Sequence, residues 1–153
     1  MGPPRSVFFG LCTQRLDATR RVMVPKAFRS AIGDDELCKG LVLTRGLDGC
    51  IWLFAREHWL AAVAELGARL FGSAEARMLE RLFVGGAAEV TVDKSGRIPL
   101  PDHLCDRAGI GAQALFVGAA RRIEIWNPER WRALEDEAAR RYEELAEAVS
   151  RRA

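Results

Sequence analysis

The chain has 153 residues, of which 49% are hydrophobic and 29% are charged, and its formal net charge is +2. This composition is typical of a globular protein and excludes a disordered or collagen-like chain. No uninterrupted apolar run approaches the ~18 residues that a membrane span needs, so we expect no membrane partner. Because the total charge is close to zero, any nucleic-acid partner must be bound by a local cluster of charge.

The N-terminal segment and the metal-ligating residues exclude further classes. Arg15 and Asp17 interrupt the early apolar residues, so we expect no secretory signal peptide. No two of the four cysteines have a Cys-x-x-Cys spacing and the two histidines are far apart, so we expect no metal and no cofactor. We expect a reducing, cytoplasmic compartment, with the cysteines as small buried hydrophobic residues.

An internal repeat organises the chain. Residues 16–28 match residues 92–104, and residues 51–59 match residues 123–131. The spacing between the copies is four residues shorter for the second match, so the first copy carries an insertion. We place it in the polar stretch 33–36 and predict a loop there.

The first copy predicts a strand, a turn with Asp and Arg, a strand ended by proline, a short helix and a two-stranded hairpin. The predicted ranges are 26–32 for the helix, and 41–44 and 50–54 for the hairpin strands. The next helix carries apolar residues at helical spacing: Trp59, Leu60, Val63, Leu66 and Leu70. Gly72 and Ser73 break it, and a second amphipathic helix leads to a return to the sheet at Gly85 and Gly86.

The second copy repeats this order, with a helix over 102–108 and hairpin strands over 114–117 and 122–126. A final helix over 128–150 is marked by Asn127 as N-cap and Pro128 at its first position. The fold class is therefore α+β: two β-rich halves, each followed by helix.

The repeated motif with chemical character is Asp-x-x-x-Arg, at Asp17–Arg21 and Asp93–Arg97. A plain hairpin turn with a structural Asp–Arg pair would explain the motif by itself. The charge distribution favours DNA instead, because residues 1–30 contain six basic residues against one acid, Asp17. Arginine suits that role, since its planar fork bonds two phosphate oxygens or the O6/N7 edge of guanine. The basic residues are Arg5, Arg15, Arg20, Arg21, Lys26 and Arg29.

The two motifs and their surroundings resemble the MraZ family of bacterial transcriptional regulators, which contain two SpoVT-AbrB-type repeats. The resemblance covers about residues 7–145 and includes the Val-Pro after the first motif, the tryptophan that closes each repeat and the segment 83–90 before the second motif. It implies a swapped-hairpin, AbrB-like intertwined barrel with flanking helices. The repeats would be 11–58 and 87–130, joined by linking helices over 59–86 and followed by a C-terminal helix over 131–153.

The resemblance also implies the function. It is that of a nucleoid-associated homo-oligomer, in the form of a ring, which binds short direct repeats in the promoter of its own division and cell-wall gene cluster. Carried over, Arg21 and Arg97 are the motif arginines at DNA, and Asp17, Asp93 and Gly96 orient the turns. Further phosphate contacts are expected from neighbouring basic residues: Arg20, Lys94, Arg15 and Lys26. We expect no small-molecule substrate and no catalysis, for want of a nucleophile–base or metal constellation.

One position departs from the family pattern. Arg20 stands where the family has glycine, and a positive φ there would cost about 1 kcal/mol. Either the turn differs and the DNA site is in doubt, or Arg20 adds a phosphate contact. Two alternatives therefore stay open. One is an AbrB-like antitoxin or developmental regulator, disfavoured by the second repeat and the patterned last helix. The other is a structural or protein-interaction oligomer with weakened DNA binding.

Overall fold

The computed structural model describes residues 7–68 and 72–153. The predicted helix position Leu70 and the basic residue Arg5 lie outside the described residues. The strands are β1 (Leu11–Arg15), β2 (Arg21–Met23), β3 (Leu41–Arg45), β4 (Ile51–Ala55), β5 (Ala88–Val90), β6 (Arg97–Pro99), β7 (Gln113–Ala119) and β8 (Arg122–Trp126). The helices are α1 (Lys26–Ile32), α2 (Asp34–Cys38), α3 (Arg56–Gly67), α4 (Ala74–Gly85), α5 (Asp102–Ala108), α6 (Pro128–Arg140) and α7 (Tyr142–Arg152).

The strands form an antiparallel six-stranded sheet, in the order β1-β7-β8-β4-β3-β5, and a separate two-stranded ribbon of β2 and β6. The first strand of each repeat pairs with the hairpin of the other repeat, since β1 pairs with β7 and β5 pairs with β3. The ribbon also takes one strand from each repeat. The two repeats are therefore interleaved, and the α+β class is confirmed. The six-stranded sheet is open, with β1 and β5 at its edges, so no closed barrel is found among the described residues.

The hydrophobic core joins both repeats. Strands β3 and β4 are apolar along nearly their whole length and are almost fully buried. The core also takes Val22 and Val24 from one side of the ribbon and Ile98 and Leu100 from the other. Because both ribbon strands bury their apolar side chains in this shared core, the turns that flank the ribbon are fixed against the body of the protein.

Three helix predictions need correction. The polar stretch 33–36 is not a loop, because α2 begins at Asp34 with three acidic residues in its first turn, where carboxylates favour the positive helix end. The last helix is two helices, because Arg141 leaves the helical region at φ −113° and ψ 17°. Helix α4 continues through Gly85, so the chain returns to the sheet later than predicted. The N-cap prediction is confirmed: the Asn127 side chain accepts from the N–H groups of Glu129 and Arg130.

The cysteines are only partly as predicted. Cys50 and Cys105 are buried, but Cys12 is half-buried and Cys38 is exposed. Burial raises the pKa of the Cys50 thiol to about 12, so this side chain stays a neutral, unreactive thiol at physiological pH. Within the described ranges, no helix combines the length and the apolar character that a membrane crossing requires.

Candidate nucleic-acid interface

The two motifs form turns with the same hydrogen-bond pattern. In the first turn, Asp17 N–H donates to the Arg21 carbonyl at 2.9 Å, and in the second, Asp93 N–H donates to the Arg97 carbonyl at 2.8 Å. Asp17 Oδ1 accepts from the N–H groups of Thr19 and Arg21, both at 2.9 Å. Asp93 Oδ1 makes the equivalent bonds to the N–H groups two and four residues later, at 2.8 and 3.0 Å. Each aspartate thus organises its own turn.

The same hydrogen bonds set the protonation of these carboxylates. The N–H of Arg21, followed by the hydroxyl of Thr19, holds the pKa of Asp17 below its ordinary value. For Asp93, the hydrogen bond from the N–H of Arg97 is the largest of the effects that lower the pKa. Both groups are therefore charged at neutral pH and act as acceptors only.

The fourth position of each turn has a positive φ, which is 58° at Arg20 and 85° at Gly96. The turn geometry is thus preserved in the first copy despite the missing glycine. The carbonyls of these two residues accept from the other repeat: Leu100 N–H donates to Arg20 at 3.0 Å, and Val24 N–H donates to Gly96 at 2.9 Å. Each turn is therefore fastened to the strand end of the opposite repeat.

The motif arginines lie between the two turns. Arg21 Nη1 is 3.3 Å from Asp93 Oδ2 across the ribbon, with 44% of the Arg21 side chain exposed. In the reciprocal direction, the charge of Arg97 contributes to the lowered pKa of Asp17. Each arginine thus sits near the aspartate of the other motif, which brings the two motifs into one surface.

The neighbouring candidates have different surroundings. Lys94 is exposed within the second turn, Lys26 is the exposed first residue of α1, and Arg15 is the exposed last residue of β1. Arg20 is engaged in ion pairs, because its Nη1 lies 3.3 Å from Asp102 and 3.7 Å from Asp106. These two acids of α5 were missed from the sequence. Their spacing of four residues on a helix was visible, but their proximity to Arg20 depends on how the repeats interleave.

Arg29 is a further basic residue at the second turn. Its Nε donates to the Val24 carbonyl at 2.9 Å. Its guanidinium lies over Gly96, where Nη1 would be 3.0 Å from a β-carbon at that position. The glycine therefore provides the space in which this arginine rests.

The guanidinium groups of this surface have the chemistry to bind an anionic partner. Guanidinium groups at fixed turns give planar pairs of donors for phosphate or for guanine. Among the described residues, no three His, Cys, Asp or Glu side chains are grouped so that they could hold a metal ion.

Comparison with known proteins identifies the family. The chain matches the family described as "MraZ protein, putative antitoxin-like" twice, over residues 7–82 and 83–152. A protein of Heliobacterium modesticaldum is 38% identical over 143 residues, which are 94% of this chain and 96% of the relative. One from Lachnoclostridium phytofermentans is 42% identical over 125 residues, 82% of this chain and 84% of its own length. Each of these two relatives is named "Transcriptional regulator MraZ". The chain belongs to the MraZ family.

Proposed function

We propose that this protein is a sequence-specific DNA-binding transcriptional regulator that acts in the cytoplasm, at the nucleoid. It binds short direct repeats upstream of its own operon, a division and cell-wall gene cluster, as a ring of identical subunits. The names of its relatives support the regulator class. In this proposal the repeats extend over 11–58 and 87–130, and the pairing of β1 with β7 and of β5 with β3 supports a swapped-hairpin, AbrB-like arrangement.

The observation that carries this proposal is the placement of the two motif arginines on one surface. Arg21 and Arg97 leave equivalent turns on a ribbon whose apolar side is buried in the core. Because both turns are fixed by hydrogen bonds to the opposite repeat, little side-chain and loop ordering remains to be done when DNA binds. Preorganisation of this kind favours affinity.

A ring is proposed because one subunit offers few contacts, and several linked subunits bind repeated DNA boxes with higher affinity than one subunit does. Two apolar surfaces on the chain are suited to join subunits. One is a groove of about 580 Å³ between α3, α4 and the β3–β4 turn, lined by Leu47, Trp52, Leu66, Leu79, Leu82 and Phe83. The other is a stripe on α7 formed by Tyr142, Leu145 and Val149, with Tyr142 74% and Val149 71% exposed. A groove that receives the stripe of the next subunit is a heterologous contact, the kind that closes rings.

The test is DNA binding by the arginine variants. Arg21→Ala and Arg97→Ala should each weaken binding to a duplex from upstream of the gene by about tenfold or more, since a bidentate base contact is worth about 1–3 kcal/mol. Fluorescence anisotropy would measure Kd for this duplex and for a scrambled duplex over a range of salt concentrations. Wild-type affinity should fall steeply with salt, because phosphate neutralisation releases counterions.

Arg152→Ala is the matched control, because it removes one exposed arginine charge at the end of α7, outside the two turns. It should leave the preference for the upstream duplex intact. If the double variant of Arg21 and Arg97 keeps full affinity and specificity, the site assignment is wrong.

The second candidate is a structural or protein-interaction oligomer with weakened DNA binding. The ion pairs of Arg20 with Asp102 and Asp106 favour it, because they occupy a cation of the first motif. An unbiased DNA selection separates the two. Enrichment of a defined repeat supports the regulator, and intact oligomers that retain no sequence support the alternative.

A further inference from the structure

The folded protein distributes charge differently from the sequence. Along the chain, the basic residues gather in the first repeat, around the first motif. Interleaving moves part of this charge, because α1 follows Val24, whose N–H bonds to the second turn at Gly96. The basic helix of the first repeat thus lies beside the motif of the second repeat.

The two helices that flank the turns occupy equivalent places but carry opposite charge. Helix α1 begins with Lys26 and presents Arg29 to the second turn. Helix α5 begins with Asp102 and presents that residue and Asp106 to the first turn. The matching positions follow from the repeat, since Lys26 and Asp102 each come directly after the proline that precedes the helix, Pro25 and Pro101.

The centre of the surface, between these flanks, has no net charge. It holds two aspartates and two arginines: Asp17, Asp93, Arg21 and Arg97. The flank at α1 adds three cations: Lys26, Arg29 and Lys94. The flank at α5 has Arg20 against two carboxylates that are 82% and 75% exposed, and α5 carries one further cation, Arg107, in its last turn. Arg15 is the other exposed cation before the first turn. The excess of cations over acids beside the turns therefore lies mainly at the α1 flank.

On the basis of the proposed function, we infer that DNA is anchored unequally. The second turn and α1 form a composite phosphate-binding surface that neither repeat contains alone. At the first turn, Asp102 and Asp106 hold the Arg20 guanidinium and repel phosphate, so that Arg20 makes no phosphate contact in the wild-type complex. The two aspartates act as positioning residues for Arg20.

The inference predicts opposite effects for charge removal on the two flanks. Lys26→Gln should weaken binding and lower the slope of log K against log[salt] by about 1, the loss of one phosphate contact. Asp102→Asn/Asp106→Asn should tighten binding and steepen the slope by about 1, since Arg20 is released. When the salt concentration rises from about 50 to 200 mM, one added phosphate contact makes the fold-loss of affinity about threefold larger than in the wild type.

A double-mutant cycle assigns the gain to Arg20. Arg20→Ala alone should leave the salt slope unchanged, whereas in the Asp102→Asn/Asp106→Asn background it should abolish the gain. The matched control is Glu143→Gln/Glu147→Gln, which removes two exposed carboxylates with the same four-residue spacing from α7. It should not steepen the slope. Thermal unfolding of every variant checks that the fold is intact.

The experiment uses the upstream duplex, a scrambled duplex and heparin. This choice separates failure of the inference from failure of the proposed function. Preference for the upstream duplex with an unchanged slope in the Asp102→Asn/Asp106→Asn variant overturns the inference and leaves the proposed function standing. A steeper slope on all three polyanions, with no preference for the upstream duplex, supports the inferred difference between the two flanks and overturns the regulator. Equal slope losses for Lys26→Gln and Arg20→Ala in the wild-type background also overturn the inference.

Discussion

Asp17 and Asp93 fix the backbone of the two turns by hydrogen bonds. Each carboxylate accepts two backbone N–H groups of its own turn, and these bonds lower the pKa of both side chains. A group whose pKa is lower in the folded state stabilises the fold above the unfolded pKa. That stabilisation is lost as the pH falls through the folded value, because the protonated carboxyl is a weaker acceptor.

We therefore expect Asp17→Ala/Asp93→Ala to lower the Tm at pH 7, and the difference from wild type to shrink at acid pH. The window lies below the ordinary aspartate pKa of 3.8. Thermal unfolding followed by circular dichroism between about pH 7 and pH 2 measures this. Asp136→Ala, which removes an exposed carboxylate of α6, is the control. A Tm difference that is the same at both ends of the pH range would contradict the role of the charged carboxylates.

At the scale of elements, the sequence predicted most helices and strands, because their signals are local. Asn127, the prolines and the repeated hairpin pattern mark element ends by short-range chemistry. The acidic helix α2 was missed, because its few polar residues carry no apolar periodicity. The partners of Arg20 were missed for another reason. Its contact with Asp102 spans 82 residues and exists only because each repeat completes the sheet of the other.

The β1–β7 pairing that produces this interleaving depends on a close backbone approach. Gly118 N–H donates to the Gly10 carbonyl at 2.8 Å, and a β-carbon on Gly118 would overlap the backbone of Phe8 and Phe9. We expect Gly118→Ala to lower the free energy of unfolding by about 1–3 kcal/mol, since this overlap forces the segment away from β7. Urea unfolding is the measurement. Gly111→Ala, which meets no atom within 4 Å, should change stability far less, and equal losses would show that the close approach is not limiting.

At the scale of the whole molecule, the chain leaves large apolar side chains uncovered. No residue of α4 or α7 is buried, although both helices are amphipathic. Helices with such faces gain most of their stability from packing. The apolar groove at α4 and the stripe on α7 are therefore two different apolar surfaces that are suited to contact another subunit. These two surfaces support the proposed ring, in which the small DNA surface of each subunit would be repeated.

If the proposed ring forms through this stripe, we expect Tyr142→Glu/Val149→Glu to dissociate it while each subunit stays folded, because two charges then occupy the stripe. Light scattering after size-exclusion chromatography gives the mass, and Kd for a duplex with several boxes should rise about a hundredfold or more as multivalency is lost. Arg151→Glu is the control, since it changes the net charge equally from another face of α7. A variant that keeps the wild-type mass would place α7 outside the interface.

If the groove of one subunit receives the α7 stripe of the next, a mixture of two variants gives a sharper test. Leu79→Glu/Leu82→Glu should block the groove and also give monomers, because each subunit then keeps only its stripe. Mixed with the α7 variant, which keeps only its groove, it should form a one-to-one dimer that grows no further, since one intact groove meets one intact stripe. A contact of groove against groove, or of stripe against stripe, would give no complementation, because one partner of each mixed pair carries a damaged copy of the surface. The mass of the mixture therefore decides whether the groove receives the stripe, and the mass of the wild-type protein separates a head-to-tail ring from a symmetric dimer.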